Sequence, residues 1–241
     1  MAAYKVDELV KEIKVALDEN VTSEALIELG DTDTLSLDEI IRSKIEPAAK
    51  TIEANAPYYL LDGGIGFADS EQAEADNSLA WASGEKGIGY GIIKLPDNFL
   101  RLVSFKMSDW DYSVSEAISE YDSCYAMQFS RFGGIKGNPQ RPVIAIVQRP
   151  DGLCLQFFSC RGGAEVFVEI AQYIAIPKIS ASGTIELCEK LKPAIVHYAA
   201  YRTALTLDSA ELASALMSMS KDLAEIFDNQ QVKPSRKNKQ K

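Results

Sequence analysis

The hydrophobic positions of this chain change period twice, from a helical repeat to an alternating one and back. Over residues 3–19, Val6, Leu9, Val10, Ile13 and Leu17 fall on one helix face, and residues 20–35 then read mostly as loop. Ser36 followed by Glu39 is a capping-box pattern that opens a second helix running to about Asn55. Leu37, Ile40, Ile41, Ile45, Ala48, Ala49 and Ile52 line one side of it, and Pro47 predicts a kink or break near Lys44. The helical pattern dissolves from Pro57 to Gly91, where seven glycines and an acidic run from Asp69 to Asp76 read as an exposed loop.

Alternation takes over next. Gly89–Leu95 and Phe99–Met107 read as strands, the second with both faces partly covered, because Phe99, Val103, Phe105 and Met107 oppose Leu100 and Leu102. Val114–Gln128 reads as a helix capped by Ser115, and the segment SRFGGIKGNPQRP after it as a mobile, exposed loop. The turn RPDG joins PVIAIVQ to LCLQFFSC in a hairpin, and AEVFVEIAQYIAIP adds a further strand, giving an antiparallel sheet of about five strands. The helical period returns with Leu187, Leu191, Ala194, Ile195, Tyr198 and Ala199, capped by Ser182 or Thr184 and started or kinked by Pro193. Asp208 caps a last helix whose Leu212, Leu216, Met219, Leu223 and Ile226 form a heptad-like stripe, a pattern that more often packs within its own domain than on another chain.

The predicted fold class is α+β: a helical bundle from the N- and C-terminal helices with a central antiparallel β-rich insertion. Residues 1–56 and 184–231 form the bundle, 57–87 a glycine-rich acidic loop region, 88–183 the insertion and 232–241 a basic tail.

Composition leaves this picture intact and narrows the chemistry. With 241 residues, 46% hydrophobic and 25% charged, the chain is long enough to bury a full core. Its net charge of −10 argues against a general nucleic-acid binder. That charge is uneven: the last ten residues hold Lys233, Arg236, Lys237, Lys239 and Lys241 and no acid, leaving 20 basic against 35 acidic side chains in the rest. Cys124, Cys154, Cys160 and Cys188 are widely spaced without a CxxC pair and read as buried free thiols of a reducing compartment. The N-terminal segment lacks an apolar core of signal-peptide length and no stretch approaches the ~20 apolar residues of a membrane helix, so a soluble protein made in a cytoplasm is expected.

Candidate chemistry is sparse. The glycines match neither GxGxxG after a strand nor GxxxxGK with Ser or Thr. Asp109 and Asp111 flank Trp110, but two carboxylates make a poor metal cage and read as a solvated turn. His197, the single histidine, sits in PAIVHYAAY, a context that suits a packed histidine better than a general base. Acids are abundant, yet nothing selects a catalytic pair. No catalytic, cofactor-binding or metal residue is assigned, and the expectation is a protein of assembly with no cofactor.

The serial order KLPDNFLRLVS, a Trp turn, a Tyr-rich segment, RPVIAIV…PDG…LQFF, a strand ending in IAIP, and LKPAIVHYAAYRTAL resembles the head-to-tail adaptor proteins of tailed bacteriophages. The likeness runs from about Ser36 to Asp228, and the size of the β part looks most like the neck ring proteins of crAss-like phages. The long stretch between Pro57 and Gly91 departs from shorter adaptors and leaves the position in the neck open. The resemblance implies a virion structural protein, a head–tail connector in a homo-oligomeric ring, twelve-fold by analogy. That ring would sit at the portal vertex, bound to the portal protein and to the next neck or tail ring, with DNA passing through its lumen during genome ejection. It implies no enzyme activity. The tail lysines and Arg236 become candidate portal-docking residues. The alternatives are another virion or scaffold component, or a carboxylate-dependent small-molecule enzyme.

Overall fold

A computed structural model describes residues 2–17, 36–67, 79–82, 88–130, 132, 134–150, 152–161 and 166–225. The chain divides into two compact units, one formed by Met1–Asp62 with Pro177–Lys241 and the other by Gly63–Ile176.

In the first unit, strand β1 (Ala2–Lys5) runs directly into helix α1 (Val6–Ala16), and α2 spans Leu37–Asn55. The capping box is present in both directions: Ser36 Oγ accepts the Glu39 N–H, and Glu39 Oε2 accepts the Ser36 N–H at 2.9 Å. These bonds, the Ser36 backbone N–H first, hold the Glu39 carboxyl below its usual range. Helix α2 continues through Pro47 without a break. Its buried side, Leu37, Ile41, Ile45, Ala48, Ala49 and Ile52, packs on α4 (Lys192–Thr206), which has Pro193 in its first turn. Helix α5 (Ala210–Leu223) returns along α4.

Helices α4 and α5 pack along each other, and most of their buried side chains are small. Ala194, Ala199, Ala200, Thr203 and Ala204 are buried on α4, and Ala213, Leu216 and Ser220 on α5. Ser220 Oγ donates to the Ala194 carbonyl at 2.8 Å. Small residues let the two backbones approach, and the face that permits this wins over the bulkier stripe. Leu216 belongs to both sets and is buried, whereas Leu212 is only partly buried and Met219 and Leu223 are 49% and 44% exposed. Ile226 lies outside the described residues.

The second unit holds two sheets. A three-stranded sheet has the order β2 (Ile65–Gly66), β9 (Val168–Ala175), β5 (Phe99–Met107). A five-stranded sheet runs β3 (Leu79–Ala82), β4 (Ile88–Lys94), β8 (Gly152–Arg161), β7 (Ile144–Arg149), β6 (Ile118–Ser119), with β6 parallel to β7 and the other pairs antiparallel. Ile93, Ile144, Leu155 and Phe157 of the larger sheet bury against Leu102, Phe105, Met107, Val168 and Ala171 of the smaller one, with Trp110 between them. The alternate positions Ala145, Val147, Cys154 and Phe158 form a second cluster on the outer face. The central parts of β7 and β8 are thus covered on both sides, which is why residues 144–147 and 153–155 run apolar without alternation.

These findings overturn the expectation of a helical bundle carrying a β insertion. The fold is mixed α/β with strands in three sheets, and the terminal segments are themselves part β. Ala2–Lys5, expected to lead a helix, pairs antiparallel with β10 (Thr184–Leu187), where a helix start was expected. In β10, Ile185 and Leu187 are buried and Glu186 is exposed, an alternation too short to outweigh the helical period that follows it. The middle of the chain also makes two sheets rather than one: β4 and β5 are neighbours in sequence but pair with β8 and β9. The glycine-rich region supplies β2 and β3. Gly64, with φ +75°, has room for no side chain, since an added Cβ would lie 2.8 Å from the Tyr173 carbonyl oxygen.

Candidate assembly surface

The segment expected as one helix over Val114–Gln128 is instead a series of short pieces. Val114 bridges to Phe105, Ile118 and Ser119 form β6, and helix α3 covers only Ser123–Met127, capped by the Asp122 carboxylate, which accepts the Cys124 N–H at 2.8 Å. One side of this segment lies on the outer face of the five-stranded sheet. Tyr125 and Phe129 pack edge-on against Phe158, and Phe129 also meets Tyr90. The Tyr125 hydroxyl donates to Oε1 of the fully buried Gln156 at 2.8 Å, and burial raises the pKa of that phenol.

The following loop is fastened to α3 by Gln128. Its Nε2 donates to the Cys124 carbonyl at 3.0 Å while its Oε1 accepts the Gly137 N–H at 2.8 Å. Asn138 Oδ1 accepts the N–H groups of Gln140 and Arg141, each at 3.0 Å, and closes the loop back toward β7. Within the loop expected to be mobile, these bonds hold the described stretch from Gly137 to Arg141.

Several large apolar side chains of this stretch nevertheless reach solvent. Tyr121, Met127, Phe129, Phe132 and Ile135 are between 44% and 90% exposed. Five such side chains fall between Tyr121 and Ile135, a local concentration of the kind found on binding surfaces more often than singly scattered apolar residues are. Sequence reasoning missed them, although Phe132 and Ile135 inside a glycine-rich loop were the available signal.

The residues singled out from sequence fall elsewhere. Lys233, Arg236, Lys237, Lys239 and Lys241 lie outside the described residues. Cys154 and Cys188 are buried, Cys124 is exposed against expectation, and the Cys160 side chain lies outside what the structure describes. Trp110 is a core residue, and Asp109 and Asp111 line an open surface depression with Asn138, Pro139 and Gln140. His197 is partly buried on α4, and burial lowers its pKa. Among the described residues no group of three or more His, Cys, Asp or Glu is placed to hold a metal ion, and no helix is long and apolar enough to cross a membrane.

In the first unit one acid departs from ordinary surface behaviour. Glu53, on the last turn of α2, is 0% exposed. Its Oε1 accepts the Cys188 N–H at 2.9 Å, and its Oε2 has no hydrogen-bond partner. Burial pushes its pKa up to about 7 against the favourable Cys188 bond, and the nearby Asp62 charge adds to the rise. The Cys188 thiol is itself pushed up to about 12, first by burial and then by Glu53. No protein-family model matches the chain, and no curated protein matches it in sequence.

Proposed function

We propose that this chain is a structural protein that assembles with copies of itself into a ring, the head–tail connector of a tailed phage, joining portal to tail and letting DNA pass. The observation that supports the reading best is the exposure of Tyr121, Met127, Phe129, Phe132 and Ile135 in one stretch of the chain, beside the hydrogen bonds of Gln128 and Asn138 that reduce the ordering entropy lost on binding. A ring uses such a surface head to tail, one subunit's patch meeting a different patch on the next. The acidic body suits a channel lining, since it repels DNA moving past it, and the basic segment 232–241 is the docking element in this reading.

The test is sedimentation velocity and electron microscopy of the purified chain, alone and mixed with portal protein. The parent is expected to form rings, and a Phe132→Asp, Ile135→Asp double variant to stay monomeric with an unchanged melting temperature, because both side chains are about half exposed. A parent that is monomeric in both conditions, or a double variant that assembles like the parent, overturns the reading.

A further inference from the structure

A buried carboxyl joins three elements of the first unit. Glu53 projects from the end of α2, and its Oε1 is bonded to the backbone of Cys188. That residue ends the run of β10 and caps the short 3-10 turn Glu189–Leu191 that leads into α4. Among the described residues Glu53 is the only buried carboxylate, and its second oxygen lies unpartnered in the interior. An interior site that offers the Cys188 N–H and its weakly donating thiol, and leaves Oε2 without a hydrogen-bond partner, tolerates a neutral carboxylic acid far better than a charge.

We propose that Glu53 is a proton-operated latch between α2 and the junction of β10 with α4, closed when its carboxyl carries a proton and loosened when that proton leaves. The proton sits on Oε2, and Oε1 remains the acceptor for Cys188. Opening releases one proton to solvent and lets water reach the carboxylate. The ionisable groups acting on Glu53 are Asp62, whose negative charge disfavours ionisation, the chain's amino terminus, which favours it, and the Cys188 thiol. That thiol, with its own proton held to about 12, stays neutral throughout the neutral range.

The direction follows from which form the folded state prefers. Its pKa is raised from 4.5 to about 7, so the contribution of Glu53 is complete below the unfolded value and is lost as pH rises through the folded one. Over that window the closed form loses roughly a hundredfold in relative population, about one decade per pH unit between the two values. The latch does not depend on the assembly reading and stands or falls separately from it.

Amide exchange of the full chain, corrected for the intrinsic pH dependence of exchange, reads the latch at the Cys188 N–H. The parent is expected to lose roughly a hundredfold in protection between about pH 4.5 and 7.5. Glu53→Gln keeps the acceptor oxygen without the titration and is expected to show a flat profile. Equal profiles for parent and variant overturn the proposal, as does a flat parent. Should Glu53→Gln fail to fold, the carboxyl carbon of Glu53 in the parent decides by NMR: a midpoint near neutrality supports the latch, and one in the ordinary carboxylate range overturns it.

Discussion

At the scale of single residues, the glycine with the least room among those described is a bare stretch of backbone beneath a ring. Gly91 lies in β4 opposite Phe157, and a Cβ added to it would sit 2.2 Å from the ring's Cζ and 2.6 Å from Cε2. The ring has nowhere to retreat, because it is fully buried with its centroid 5.2 Å from that of Phe105 and 6.5 Å from that of Trp110. Gly91→Ala therefore overpacks the core between the two sheets at a cost of about 1–3 kcal/mol. Chemical denaturation should show a lower midpoint with an unchanged slope, and combining the change with Phe157→Leu should recover part of the loss. A Gly91→Ala variant as stable as the parent would mean that the strand shifts to absorb the methyl group.

At the scale of elements, α5 separates two apolar faces that look equivalent in sequence. Leu216→Asp places a charge in the contact with α4 and is expected to cost about 3 kcal/mol or more, whereas Leu223→Asp, at a position 44% exposed, should stay within about 0.5 kcal/mol. Thermal melts of the two variants check this, and equal losses would show that the bulky stripe is buried after all. The heptad-like stripe was legible as a pattern, but the choice of Ala213, Leu216 and Ser220 as the packed face was not. That choice depends on the alanines of α4, a partner that no local window contains. Elements whose signals are local were read well: the capping box of α2, the hairpin of β7 and β8 with Arg149 opposite Gly152, and the strand from Phe99 to Met107. Elements defined by a distant partner were misread. β10 is a strand because β1 pairs with it, and Val114–Gln128 breaks up because Phe105 bonds Val114 and Ala145 pairs with Ile118. The exposure of Tyr121, Met127, Phe132 and Ile135 was hidden for the same reason, since periodicity does not tell which apolar side chains of a segment its own sheet will take.

At the scale of the whole molecule, the first unit draws on both ends of the chain and the second on one continuous stretch. The cores between and outside the two sheets are made entirely of residues between Phe67 and Ala171. A fragment of residues 63–176 is therefore expected to unfold cooperatively by itself, whereas residues 1–62 alone should not, because α1 and α2 bury their apolar faces against α4 and β1 lacks its partner. Circular dichroism melts of the two fragments measure this. A cooperative transition from residues 1–62, or none from residues 63–176, would contradict it. During synthesis the N-terminal segments must also wait, since α4 and β10 arrive only after the whole second unit has been made.

The first and last strands of that second unit lie side by side, with Ile65 opposite Tyr173 and Gly66 opposite Gln172. Paired residues of antiparallel strands stand about 5 Å apart, so the chain leaves for this unit and comes back through nearly the same point. Seen from the rest of the molecule, some hundred residues amount to a short detour. Adjacent ends are what excision and exchange require, so a few flexible residues in the unit's place, or a foreign domain with adjacent ends, are expected to leave the first unit folded.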